Sequence, residues 1–126
     1  MVPKNLIYSE EHQWIKKTDN NRVIIGITDY GQNELGDIVF VDLPAVGQKI
    51  SMGENIFSIE SVNSAKEFSS PVSGEVMEVN DDLQYSPEFV NQEPFGKGWI
   101  AIIEVNDQSE LTHLISADKY GKLISK

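Results

Sequence analysis

Residues 53–74 do most to limit the folds open to this chain. Apolar and polar residues alternate over 55–62, and they alternate again over 71–79. This pattern is typical of strands that turn one face towards a protein core. Between the two lies a small polar segment, 63–67, made of Asn, Ser, Ala, Lys and Glu. We therefore predict a hairpin with an exposed tip at 60–67. This tip is small enough to project from a sheet and to be bound by another protein.

Short strand patterns recur along the rest of the chain, with helix signals between and after them. The predicted strands are a lead-in strand within 6–15, then Arg22–Ile27, 37–43, 49–51 and 99–105. The first predicted helix is 30–35, capped by Thr28 and Asp29 and ended by Gly36. A short second helix runs from Ser86-Pro87-Glu88 to about residue 91. Two more are predicted near the C-terminus: 110–114, capped by Ser109, and 117–124, capped by Ser116. Many short strands with marginal helices predict a mainly β barrel or sandwich.

The most apolar predicted strand, 99–105, supplies much of the expected core. We expect Trp99, Ile100 and either Ile102 or Ile103 to pack against Val39, Val41 and Ile25.

Length and composition exclude several classes of protein. The 126 residues suffice for one domain, 1–126, with a sizeable core. No cysteine is present, which removes disulfides and thiolate chemistry. A formal charge of −10 disfavours nucleic acid as a partner. We find no stretch of membrane-spanning length and no transit-peptide character at the N-terminus, so we expect a cytoplasmic protein.

No catalytic constellation is visible in the sequence. His12 and His113 are isolated and lack metal-ligand spacing to a partner. Gly96 and Gly98 precede a strand rather than a helix, so they form no phosphate-binding loop. An enzyme is therefore the least favoured class.

Four blocks resemble the H protein of the glycine cleavage system: Y-S-E-E-H-Q-W at 8–14, I-G-I-T-D-Y-G-Q-N-E-L-G-D-I-V-F-V-D-L-P at 25–44, E-S-V-N-S-A-K-E-F-S-S-P-V-S-G at 60–74 and N-Q-E-P-F-G-K-G-W at 91–99. The resemblance covers nearly the whole chain. It implies the flattened barrel of lipoyl and biotinyl carriers, also called a hammerhead, with the modification loop as a hairpin at one end.

The resemblance implies a carrier rather than a catalyst. In that family a lipoic acid arm takes an aminomethyl group from glycine decarboxylase and presents it to an aminomethyltransferase. Dihydrolipoamide dehydrogenase then reoxidises the arm, and a lipoate ligase or transferase attaches it in the first place. A tethered arm gives each partner a high effective concentration of substrate.

Two positions depart from the family pattern. Asn63 stands where the family has the lipoyl lysine, and Gln13 stands where it usually has glutamate. An amide nitrogen is not nucleophilic, so we predict that Asn63 is not lipoylated. By resemblance, the arm-contact residues are His12, Gln13 and Glu67.

Lys66 is the one lysine in the turn segment and the candidate for a displaced acceptor. We favour an ordinary solvated lysine, because a shift of three residues along an extended segment moves the side chain off the tip and to the other face. Two alternatives to the carrier stay open: an unlipoylated docking or regulatory protein for lipoyl-pathway enzymes, and a biotin-type carrier, for which the Met-Lys-Met signature is missing.

Overall fold

The computed structural model describes residues 2–125 as two antiparallel sheets with short helices at their margins. The strands are β1 Ile7–Tyr8, β2 Gln13–Lys17, β3 Arg22–Ile27, β4 Ile38–Asp42, β5 Lys49–Ile50, β6 Asn55–Ser61, β7 Ala65–Ser69, β8 Gly74–Val79 and β9 Ala101–Val105. The larger sheet has the order β1-β2-β3-β9-β8-β5, and the smaller has the order β4-β6-β7. The two sheets form a flattened structure rather than a closed barrel, and the predicted mainly β class is confirmed.

The main core contains apolar residues of both sheets. Ile25 and Ile103 come from the larger sheet, and Val41, Ile59 and Phe68 come from the smaller one. All five are at most 1% exposed. The predicted burial of Ile25, Val41, Ile100 and Ile103 is confirmed.

Two core predictions need correction. Val39 is 53% exposed, because the β4–β6 register shifts between Ile38 and Phe40. This irregularity leaves Val39 and Phe40 both exposed, where strict alternation would bury one of them. Trp99 is half-buried and packs against a second cluster formed by Leu6, Tyr8, Trp14 and Tyr120.

The hairpin partner of β6 also differs from the prediction. β6 pairs with β7, in the register Ser58↔Glu67 and Glu60↔Ala65. β8 lies in the other sheet, between β9 and β5. Sequence alternation suggested a turn reaching Glu67, but backbone pairing extends the hairpin up to Ala65, and Phe68 anchors β7 in the core.

The two longer helices begin and end within one residue of their predicted bounds. Helix α1 spans Asp29–Leu35, with the Thr28 hydroxyl accepting the Gly31 N–H at 3.0 Å. It ends at Gly36, whose φ of +86° suits glycine. Helix α3 spans Ala117–Ile124 and is capped by Ser116.

The remaining helices differ in detail from the prediction. Helix α2, Phe89–Gln92, begins later than predicted and has no side-chain cap. The segment predicted to be capped by Ser109 is a 3-10 helix, Gln108–His113, capped by the Asp107 carboxylate. The predicted turn at 80–82 continues into another 3-10 helix, Asp81–Gln84.

Candidate functional site

A four-residue turn, Ser61 to Ser64, closes the β6–β7 hairpin and forms the exposed tip. The Ser61 N–H donates to the Ser64 carbonyl at 2.8 Å. The Ser61 hydroxyl oxygen lies 3.1 Å from the Ser64 nitrogen and 3.3 Å from the Asn63 nitrogen, and accepts both N–H groups. The Val62 N–H donates to the Asp37 carbonyl at 3.0 Å, which ties the turn to the start of β4. The tip is therefore a small projection fixed by the Ser61 hydroxyl, one backbone bond within the turn and one bond to Asp37.

Asn63 lies at this tip and is exposed. Its side-chain amide nitrogen lies close to Gly36: a Cβ atom added to that glycine would be 3.4 Å from it. Delocalisation of the amide lone pair makes this nitrogen unreactive towards an activated carboxyl group. Position 63 has the exposure that an acceptor needs, while its side chain lacks the nucleophile.

Lys66 and Glu67 follow the tip on β7, and their side chains lie in different surroundings. Lys66 pairs with the buried Ile59, and its ammonium nitrogen lies 4.9 Å from the ring centroid of Phe68. It lines a cavity of about 210 Å³ together with His12. Glu67 is exposed and accepts a hydrogen bond from Asn55. The structure brings His12 and Lys66 together and leaves Glu67 at a different surface recess, beside Asn55 and Asp42.

His12 has a backbone φ of +68°, and its ring lies against the rings of Tyr30 and Tyr120. Its Nδ1 lies 2.9 Å from the Tyr120 hydroxyl, which in turn lies 2.7 Å from the Thr28 hydroxyl. Burial lowers the pKa of the His12 imidazole, and the nearby Lys66 ammonium lowers it further. The Glu34 carboxylate opposes this decrease in pKa. The imidazole is therefore biased towards its neutral form.

Gln13 is 1% exposed, and both ends of its amide are bonded to protein. Its Nε2 donates to the Ser69 carbonyl at 2.9 Å, and its Oε1 accepts the Ser9 hydroxyl at 2.8 Å. Glu11 completes the junction, because its carboxylate accepts the Ser69 N–H at 3.0 Å and the Ser69 hydroxyl at 3.3 Å. Gln13, the first residue of β2, and Glu11, two positions before it, thus satisfy the backbone carbonyl and N–H of Ser69 at the end of β7.

Sequence reasoning missed Glu11 and Ser69 as partners of this junction. Glu11 does belong to the block at 8–14, but nothing local indicates that it bonds a residue 58 positions away. His113 is exposed and ends the 3-10 helix Gln108–His113.

Within residues 2–125, no group of three or more His, Cys, Asp or Glu side chains has metal-binding geometry. No helix in the same range has the length and apolar character needed to cross a membrane.

Comparison with known proteins decides the family. The sequence profile of the family "Glycine cleavage H-protein" matches residues 6–126. The chain belongs to the glycine cleavage H-protein family. The glycine cleavage system H protein of Coprothermobacter proteolyticus is 54% identical over 125 residues, covering 99% of this chain and 98% of that protein. That of Carboxydothermus hydrogenoformans is 49% identical over 126 residues, covering 100% and 96%.

A solved structure agrees with this assignment. The crystal structure of a glycine cleavage system H protein from Mycobacterium marinum matches with a TM-score of 0.84 and 31% identity, over 95% of this chain and 96% of that one. The predicted resemblance and the carrier-type fold are confirmed. H proteins carry lipoic acid and are carrier components of the glycine cleavage system, not catalysts. The roles of Asn63, Lys66, His12, Gln13 and Glu67 stay predictions.

Proposed function

We propose that this chain is a carrier of the glycine cleavage system whose hairpin tip is the point presented to partner enzymes. The observation that carries the proposal is the 54% identity to an H protein over 125 residues, combined with an intact and exposed β6–β7 hairpin. Because both sheets contribute to one core, we further propose that residues 1–126 form a single carrier domain.

We infer that the chain as printed bears no lipoyl arm at position 63. Attachment of lipoate needs a nucleophilic nitrogen, and the amide of Asn63 offers none. The exposed turn held by Ser61 supports the view that only the acceptor side chain is lacking. A lysine at this position would have its ammonium group free in solvent.

Lys66 is a poor substitute for that acceptor. Its side chain lies over the Phe68 ring and lines the cavity beside His12, away from the tip. An attaching enzyme that fits the tip would meet Lys66 on the flank of β7. We propose that Lys66 stays unmodified.

The proposed partners follow from the family. They are glycine decarboxylase, the aminomethyltransferase, dihydrolipoamide dehydrogenase and a lipoate ligase or transferase, acting in the cytoplasm. Of the predicted arm contacts, His12 has the most suitable surroundings, because it lines a cavity near β7. Gln13 is buried in the Ser69 junction, and Glu67 is bonded to Asn55 at another recess, so both would have to move.

The test is co-expression with a lipoate ligase and lipoate, followed by intact mass and peptide mapping. The printed chain should stay unmodified, and Asn63→Lys should be modified at residue 63. Asn63→Lys combined with Lys66→Ala should behave like the single variant. A label on Lys66 in the printed chain would contradict the geometric argument. Failure to modify Asn63→Lys would favour the unlipoylated docking protein instead.

A further inference from the structure

Three large apolar side chains are exposed beside the hairpin tip: Val39 at 53%, Phe40 at 45% and Val62 at 63%. The strand register brings them close together. Phe40 pairs with Glu60 across β4 and β6, and the Val62 N–H donates to the Asp37 carbonyl next along the ladder. Cross-strand and diagonal neighbours on one sheet face lie within side-chain reach. We call these three residues the tip patch.

The tip patch is not the result of ordinary strand alternation. The register irregularity between Ile38 and Phe40 leaves two consecutive apolar residues of β4 exposed, while Ile38 and Val41 stay buried. β4 is also an edge strand of its sheet, where an apolar surface favours unwanted association. Contiguous exposed apolar side chains on a soluble protein commonly mark an interaction site.

Carboxylates surround the patch. Asp37, Asp42 and Glu60 are all exposed and lie on or beside the same strands. Within residues 2–125, the only ion pair joins Arg22 to Glu104. The three acids therefore carry uncompensated negative charge around an apolar centre.

We propose that the tip patch is a docking surface for an apolar recess rimmed by arginine or lysine on an enzyme that acts at the hairpin tip. Charge complementarity selects this occupant, because an acidic rim attracts a basic one and steers its approach. A second copy of this chain would bring two acidic rims together. The inference rests on the proposed function, since it assigns a surface to the partners proposed above. Docking through the tip patch needs no lipoyl arm, so the printed chain should bind these enzymes.

The first test measures the affinity of the printed chain for purified glycine decarboxylase, aminomethyltransferase and dihydrolipoamide dehydrogenase. The variant Val39→Ser/Phe40→Ser removes two apolar side chains of the patch. The matched control is Val46→Ser/Met52→Ser, which removes apolar side chains that are similarly exposed, at 62% and 46%, in turns outside β4. We expect the patch variant to lose at least about tenfold in affinity for one or more of the enzymes, as a central interface residue does. The control should bind like the printed chain.

The second test separates local charge from net charge. Asp37→Asn/Asp42→Asn/Glu60→Gln neutralises the rim, and Asp19→Asn/Asp118→Asn/Glu10→Gln neutralises three exposed acids elsewhere. Both variants change the formal charge of −10 by the same amount. The rim variant should bind more weakly at low salt and show a smaller dependence on salt. The control should keep the affinity and salt dependence of the printed chain.

The outcomes distinguish the inference from the proposed function. If an enzyme binds the printed chain, the patch variant and the rim variant equally well, the proposed docking surface is wrong and the carrier assignment stands. If none of the three enzymes binds the printed chain, both fail. If sedimentation shows a dimer that Val39→Ser/Phe40→Ser dissociates, the patch binds a second copy and the inference is overturned. Thermal melts of all variants establish that binding is compared between folded proteins.

Discussion

Two amide side chains, one near each end of strand β7, have opposite surroundings. At one end Asn63 lies at the exposed tip, and the backbone there is held by Ser61 and not by the asparagine side chain. At the other end Gln13 is buried and bonds Ser69 on β7 and Ser9 before β2. In both places the resemblance to H proteins predicts an ionisable residue. The amide at the junction is therefore part of the structure, whereas we predict that the amide at the tip matters for the acceptor chemistry alone.

The largest effect in this comparison is expected from Gln13→Glu. The introduced carboxylate would face the Ser69 carbonyl, to which it cannot donate, in a site with almost no solvent. We expect a loss of about 3 kcal/mol in the free energy of unfolding at pH 7, since an unsatisfied buried partner costs about 1–3 kcal/mol and a charge costs more. Denaturant melts measure it.

The pH dependence of the free energy of unfolding tests whether the buried charge causes the loss in Gln13→Glu. Burial raises the pKa of a carboxyl group, so the folded variant binds more protons than the unfolded chain around neutral pH. Its stability should therefore fall as pH rises, and the gap to the printed chain should narrow as pH falls towards 4. Gln13→Met, which adds no charge, should lack this trend. A stable Gln13→Glu variant at pH 7 would show that the side chain turns out to solvent, as an arm contact requires.

A smaller loss is expected from Glu11→Ala at the same junction. The variant removes the acceptor of the Ser69 N–H and hydroxyl, and the site is only partly buried. We expect a decrease of about 1–2 kcal/mol in the free energy of unfolding, near the value for a hydrogen bond to a charged group. Glu10→Ala, one position away and exposed, is the control and should change little. Equal effects of both changes would indicate that the junction does not stabilise β7.

The sequence predicts more of the fold than of the candidate site. Helix α1 was predicted because Thr28 and Gly36 are local signals for its start and end. Strand β7 was missed because its five residues contain one fully buried side chain, Phe68, and two charged ones. The Gln13–Ser69 bond joins residues 56 positions apart, and local periodicity has no information about such a contact. Exposure of Val39 depends on an irregularity in strand register, which is set by pairing with β6.

The titration of His12 tests whether Lys66 lies on the inner side of β7. The pKa of His12 is lowered by burial and by the Lys66 ammonium, so Lys66→Gln should raise it. Glu34→Gln should lower it further, because the Glu34 carboxylate opposes the decrease. NMR titration of the imidazole measures both changes. Because the lowered pKa makes the unfolded chain bind more protons, His12 should reduce stability as pH falls below about 6.5, its ordinary value. No response to Lys66→Gln would place that ammonium in open solvent.

The smallest effect on stability is expected at the tip itself. Asn63→Lys changes an exposed side chain that does not hold the turn, so the free energy of unfolding should change by less than about 0.5 kcal/mol. Ser61→Ala is the contrasting variant. It removes the acceptor of two N–H groups, and a larger loss, about 1 kcal/mol, is expected. If Asn63→Lys were the more destabilising change, the asparagine would be structural after all.

We infer that this chain is an H-protein scaffold in which the side chain at position 63 decides whether the carrier chemistry is possible. The most direct measurement is glycine cleavage reconstituted with glycine decarboxylase, comparing the printed chain with lipoylated Asn63→Lys. Release of carbon dioxide from glycine is followed together with the intact mass of the carrier. We predict that the lysine form takes up the aminomethyl group and that the printed chain does not. Uptake by the printed chain, or no uptake by the lipoylated variant, would show that position 63 does not decide the carrier chemistry.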